Sequence, residues 1–209
     1  MAFASCYAYC PWVAGAPGEQ ARRGCERLKA ADPRWLARFA AQVWMQTALE
    51  RRFAGLFGED VVLVPVPGSR PAHHGPWVGE RLAVSLGALG LAQAVWPLLR
   101  RQVAVRKSAY APAGERPSVL DHYRSFAVQW TGDRRGSGPP ARLTLVDDVI
   151  TRGRTVLGAA ARLREAFPDS EIRAFALMRT LGRGEVPWRN PDPCVGRVCW
   201  VCSDARRIP

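Results

Sequence analysis

The longest helical pattern in the chain covers residues 35–57, WLARFAAQVWMQTALERRFAGLF, where Leu36, Phe39, Val43, Leu49 and Phe53 share one broad face and no proline intervenes. That spacing predicts an amphipathic helix. The period then changes. In DVVLVPVPGSR (60–70), residues 61–64 form an unbroken aliphatic run, the pattern of a strand buried on both faces, and Pro65, Pro67 and Gly68 close it in a tight loop. PWVGERLAVSLGALGL (76–91) predicts the next helix, with Pro76 acceptable in its first turn.

A second unit repeats this order. Residues 143–146 predict a short buried strand. Residues 155–167 predict a helix, since Val156, Ala159, Ala160, Leu163, Ala166 and Phe167 fall on one face. EIRAFALMR (171–179) predicts the following strand. Strand, helix and strand in this order require a crossover and imply parallel pairing. The expected fold is therefore α/β, a central mostly parallel sheet flanked by helices.

Between the two units, residues 103–122 show no sustained period and predict a long loop. RSFAVQW (124–130) alternates, with Phe126, Val128 and Trp130 on one side, and predicts a half-buried strand. Residues 131–140 predict a flexible connection. The chain divides into an irregular segment over 1–34, a core over 35–180 and a terminal segment over 181–209.

Composition adds a strong positive balance. Thirty Lys and Arg against eighteen Asp and Glu give a formal charge of +12. Such a surplus favours anionic partners, phosphorylated metabolites or nucleic acid. Only Lys29 and Lys107 are lysines. Arginine usage of this kind also follows from a GC-rich genome, so charge alone makes nucleic acid the lesser reading. The first fifteen residues lack a positive leader region and meet Pro11 early, and no apolar window reaches about 18 residues. A cytoplasmic location without membrane contact is expected, with the six cysteines as free thiols. Cys199-x-x-Cys202 has zinc-knuckle spacing, but Cys6, Cys10 and Cys25 supply no second pair of that kind.

The chemistry concentrates in LTLVDDVITRGRTVLGAA (143–160). Ligands of open parallel sheets bind beyond the carboxyl ends of strands, and Asp147 and Asp148 stand at such an end. Unpartnered carboxylates are costly there, and a vicinal diol is a suitable hydrogen-bonding partner. Thr151, Gly153 and Thr155 then allow backbone N–H groups to converge on an anion at a helix N-terminus, and Arg152 and Arg154 add charge. Carboxylates for a diol beside a cradle for a phosphate describe a ribose 5-phosphate site. A Walker B strand is the rival, but no Gly-x-x-x-x-Gly-Lys-Ser/Thr loop accompanies it.

LTLVDDVITRGRT resembles the signature of the type I phosphoribosyltransferases. VVLVPVPGSR and EIRAFALMRT resemble the pyrophosphate-loop strand and the following strand of the ComF-like branch of that family. The resemblance covers roughly residues 60–180. It implies a type I phosphoribosyltransferase-like fold with a small hood built from terminal segments. It implies that Asp147 and Asp148 hold the ribose hydroxyls of phosphoribosyl pyrophosphate (PRPP), and that Thr151, Arg152, Gly153, Arg154 and Thr155 cradle its 5-phosphate. Gly68, Ser69 and Arg70 would contact pyrophosphate. The 103–122 loop would be the lid, carrying Arg106 and Lys107 as cations, with Lys107 in a catalytic role beside the two aspartates. A substrate-bridged Mg²⁺ is implied as cofactor, with no metal held by protein ligands alone. Arg152 departs from the small residue common at its position, and HHGPW (73–77) departs from the motif that usually follows the first loop.

The expected activity is Mg²⁺-dependent transfer of ribose 5-phosphate from PRPP to a nitrogen acceptor of nucleobase type, with release of pyrophosphate. The alternatives are a non-catalytic PRPP- or nucleotide-binding regulator and a ComF-like competence factor on single-stranded DNA. A homodimer is left open.

Overall fold

A computed structural model describes residues 1–10, 12–71, 76–106, 115–130, 138–182, 185, 191–202 and 204–209. The chain opens on β1 (Ala2–Tyr9), α1 (Ala16–Lys29) and α2 (Pro33–Ala48). It continues through β2 (Gly58–Pro65), α3 (Val78–Gly87), β3 (Ala92–Val95) and β4 (Leu99–Arg101). There follow α4 (Val119–Ser125), β5 (Phe126–Val128), β6 (Arg142–Ile150), α5 (Arg154–Ala166) and β7 (Glu171–Thr180). The last elements are β8 (Cys194–Val201) and β9 (Asp204–Ile208).

Seven strands form one sheet in the order β3-β2-β6-β7-β1-β8-β9. The first five run parallel, and β8 and β9 add antiparallel at one side. Side-chain alternation along the strands builds two cores. Leu63, Phe175 and Leu177 face α1, α2 and α3. Their neighbours Val62, Val64, Ala174 and Ala176 face α4 and α5. The parallel strands are buried on both sides, and this explains why their apolar runs are continuous.

The α/β architecture with a mostly parallel, helix-flanked sheet is the one the hydrophobic pattern predicts. Several element assignments are corrected. Residues 1–34 are not irregular: β1 lies inside the sheet between β7 and β8, and α1 packs Cys25 and Leu28 into the core. Residues 181–209 are not only a tail, because β8 and β9 extend the sheet. The helix expected over 35–57 starts at Pro33, where the Asp32 side chain caps it by accepting from the Arg34 N–H at 2.8 Å, and stops at Ala48. Arg51 has φ 54°, a left-handed conformation that no helix can carry through. Within the expected loop 103–122, α4 begins after a reciprocal cap between Ser118 and Asp121. The strand expected over 124–130 shrinks to β5, which pairs with β4 in a separate two-stranded ribbon. Residues 107–114 and most of 131–140 lie outside the described residues.

Candidate functional site

The chain leaves β2 through α3 to reach β3 on one side, and leaves β6 through α5 to reach β7 on the other. Such a reversal opens a crevice beyond the strand ends. Pro65 is in register with Val146, and the Val66 N–H donates to the Val146 carbonyl at 2.9 Å. The loop at 67–70 therefore sits beside the acid pair.

The strand expected over 143–146 extends to Ile150, so Asp147 and Asp148 lie within β6, ahead of its last two residues. Alternation sends them toward opposite layers: Asp147 interacts electrostatically with Arg101, on the α4 side, and Asp148 with Cys25 of α1. The Asp148 N–H donates to Asp147 Oδ1 at 2.9 Å, and the Val149 N–H to Asp148 Oδ1 at 2.8 Å. Burial first, and the neighbouring Asp148 carboxylate second, raise the Asp147 pKa well above the ordinary carboxylate value, while Arg101 opposes them. A carboxyl so placed is stabilised in its charged form by any hydrogen-bond donor or cation brought to it.

The turn after β6 is built on Gly153. Its φ of 93° is left-handed, and it serves as N-cap of α5 with no side-chain cap bond. A Cβ there would overlap the Val198 side chain of β8. Glycine is thus required twice, by conformation and by close approach. The first turn of α5 contains no acidic residue, so its free N–H groups keep their attraction for anions. A cavity of about 110 Å³ lies over this turn, lined by Asp147, residues 149–156 and Arg116.

The two arginines of the turn are partnered. Asp204 of β9 accepts from Arg154 Nε at 2.5 Å and Nη2 at 2.6 Å, and from Arg152 Nη1 at 3.0 Å. Together these bonds, with hydrogen bonding from Arg154 contributing most, hold the Asp204 pKa down to about 2. Arg154 Nη1 also donates to the carbonyls of Arg116 and Pro117, each at 3.2 Å. Thr151 Oγ1 lies 3.2 Å from Thr180 Oγ1. Thr155 Oγ1 lies 3.4 Å from Nε2 of buried His122. Burial, then the cations Arg101 and Arg154, lower the His122 pKa to about 4, so that ring is neutral at physiological pH.

The structure thus brings Asp147 and residues Thr151, Arg152, Gly153, Arg154 and Thr155 to one cavity. Asp148 stands next to it without lining it. Gly68, Ser69 and Arg70 form the adjacent loop. Arg106 forms an ion pair with Glu115, so its charge is compensated here. Lys107, together with His73, His74 and Trp188, lies outside the described residues. The sequence pattern did not flag Arg101, Arg116, His122 or Asp204. For Arg116 and His122 a signal existed, the Ser118-x-x-Asp121 cap that fixes the chain on either side of it. For Arg101 and Asp204, only tertiary contact reveals the role.

Among the described residues, no group of three or more His, Cys, Asp or Glu side chains is placed to hold a metal ion. No described helix is long and apolar enough to cross a membrane. The chain matches no known protein-family model, and no curated protein matches it.

Proposed function

We propose that this crevice binds PRPP and that the chain is a phosphoribosyltransferase acting on a nitrogen acceptor of nucleobase type. The observation that carries the reading is the single cavity shared by Asp147 and the uncapped N-terminus of α5. Backbone N–H groups at 153–156 suit a 5-phosphate, and the carboxylates toward the end of the side-chain alternation along β6 suit the ribose hydroxyls. The 67–70 loop lies across the switch point, on the side where the leaving pyrophosphate would rest. Mg²⁺, held mostly by substrate oxygens, would supply charge neutralisation for that leaving group.

In this reading the chain contributes position and electrostatics rather than a covalent group. Asp147 and Asp148 fix the ribose ring. The α5 turn anchors the phosphate end. The first loop receives charge that develops as the C1–pyrophosphate bond breaks and the acceptor nitrogen closes on the oxocarbenium-like carbon. Neutral His122, behind Thr155, supports the phosphate turn without adding charge.

The test is calorimetry of the full chain with PRPP and Mg²⁺, followed by pyrophosphate release in the presence of a panel of purine and pyrimidine bases. Micromolar binding with turnover on one base supports the reading. Binding without turnover on any base converts it to a PRPP-sensing protein. No binding at millimolar PRPP removes it. Salt-dependent binding of single-stranded DNA that survives Asp147→Asn would favour the competence-factor alternative instead.

A further inference from the structure

Four consecutive carbonyls of the first loop turn into the protein. Val66 accepts from Trp77 Nε1 at 2.8 Å. Pro67 accepts from Arg101 Nη2 at 3.4 Å, and Gly68 accepts from Arg101 Nε. Ser69 accepts from the Val105 N–H at 2.8 Å. A trans peptide points its N–H opposite to its C=O. The N–H groups of Gly68 and Ser69 therefore point away from Arg101, and that of Arg70 points away from Val105; Gly68 and Arg70 are exposed. None of the three donates a hydrogen bond among the described residues. Successive N–H groups without a protein acceptor are suited to receive an anion.

Arg101 sits behind this loop. It is 2% exposed, its guanidinium carbon stacks 4.1 Å above the Phe126 ring, and its Nη1 donates to Ser125 Oγ. No described carboxylate lies within ion-pair distance of it, and Asp147 is the acid it feels electrostatically. Burying a cation costs stability. Here it does two things for the loop: it turns the Pro67 and Gly68 carbonyls inward, and it places a guanidinium beneath the N–H groups of Gly68 and Ser69. Neither Arg106, paired with Glu115, nor exposed Arg70 is held in this way.

We propose that Arg101 is a positioning residue that shapes the Gly68–Ser69–Arg70 backbone into the pyrophosphate-binding element of this site. The proposal rests on the PRPP reading above and deepens it. Arg101 touches no ligand; it acts through the loop carbonyls and through its charge.

The test compares the wild-type chain with Arg101→Lys and Arg101→Met by calorimetry, using inorganic pyrophosphate with Mg²⁺ and, separately, ribose 5-phosphate. Arg101→Met should weaken pyrophosphate binding about tenfold or more, the scale of one lost charge-assisted contact. Ribose 5-phosphate affinity should stay within about twofold, because its cavity is lined from β6 and α5. Arg101→Lys keeps the charge but lacks the planar fork, so it should fall between the two. Unchanged pyrophosphate affinity in both variants overturns the proposal. So does an equal loss of both ligands, which would mark Arg101 as a general support of the fold. If Arg101→Met does not fold, Ser125→Ala removes one anchor of the guanidinium while keeping its charge. A loss confined to pyrophosphate then supports the proposal, and no loss overturns it. A wild-type chain that binds neither ligand overturns the PRPP reading and this proposal with it, whereas wild-type binding with unaffected variants overturns this proposal alone.

Discussion

Asp204 grips Arg154 through both carboxylate oxygens, at 2.5 and 2.6 Å, and so ties the C-terminal strand β9 to the first residue of α5. The pair joins two elements 50 residues apart, and the Arg154 side chain is only 17% exposed. Removing the carboxylate leaves a half-buried guanidinium without its anion. Asp204→Asn should lower unfolding free energy by about 1–2 kcal/mol, after allowance for the partly exposed carboxylate. The pH dependence has a definite sign. A carboxylate held near pKa 2 stabilises the fold fully above the unfolded value of 3.8, and this contribution fades as pH falls from about 4 to about 2. Denaturant titrations at pH 7 and pH 3 should show the variant's deficit shrinking in acid.

The two arginines of the turn should separate cleanly. Arg152 is 60% exposed and makes one contact to Asp204, whereas Arg154 also binds the carbonyls of Arg116 and Pro117. Arg152→Ala should cost no more than about 0.5 kcal/mol, the scale of an exposed ion pair. Arg154→Ala should cost about 2 kcal/mol, because three part-buried acceptor groups lose their donor together. Thermal melts of the two variants decide this, and equal shifts would contradict the division of roles.

Much of this site was legible in the chain itself. The aliphatic run before Asp147 and Asp148, the glycine at 153 and the amphipathic pattern of α5 all follow from local rules that tertiary context did not override. What escaped is non-local. β1, AFASCYAY, is rich in small residues and cysteine and is buried on both sides between β7 and β8, so it shows neither alternation nor a β-branched run. β8 contains Gly196 and Arg197, and joins the sheet only by pairing with β1. Asp204 reads as a charged residue near the end of the chain until β9 carries it to Arg154. Arg101 reads as one of 28 arginines until the 67–70 loop closes over it.

Gly153→Ala tests the double requirement at the turn. The φ of 93° strains any residue with a Cβ, by roughly 1–2 kcal/mol, and the added methyl also meets fully buried Val198. The single variant should lose about 3 kcal/mol by denaturant titration. Val198→Ala alone leaves a small cavity. Combined with Gly153→Ala it should relieve the overlap but not the strain, so the double variant should be more stable than the sum of the single changes predicts.

His122 gives the fold an acid sensitivity. Its pKa falls from 6.5 to about 4 on folding, through burial and the neighbouring Arg101 and Arg154. The unfolded chain therefore binds the proton first, and stability falls as pH drops from about 6.5 to about 4. The contribution is on the order of a few kcal/mol at full protonation. His122→Gln should flatten the stability profile between pH 4 and 6.5 relative to wild type. A profile that stays as steep would show that other groups control this range.

Asp147→Asn should separate stability from binding. Burial and the Asp148 carboxylate raise the Asp147 pKa, so its charged form is disfavoured in the fold. A group whose folded pKa lies above its unfolded value contributes stability at low pH that is lost as pH rises through the folded value. Ionisation of this carboxyl therefore costs the fold stability. An amide of nearly the same shape removes the repulsion with Asp148 and the cost of burying charge. The variant should unfold at a higher denaturant concentration than wild type at pH 7, with the difference narrowing toward pH 4. It should also lose PRPP affinity about tenfold or more, since an amide accepts fewer and weaker hydrogen bonds from ribose hydroxyls. Denaturant titration and calorimetry on the same sample read both effects. A more stable variant that binds PRPP as well as wild type would remove Asp147 from the ribose site, and a less stable one would show that Arg101 more than offsets the charge.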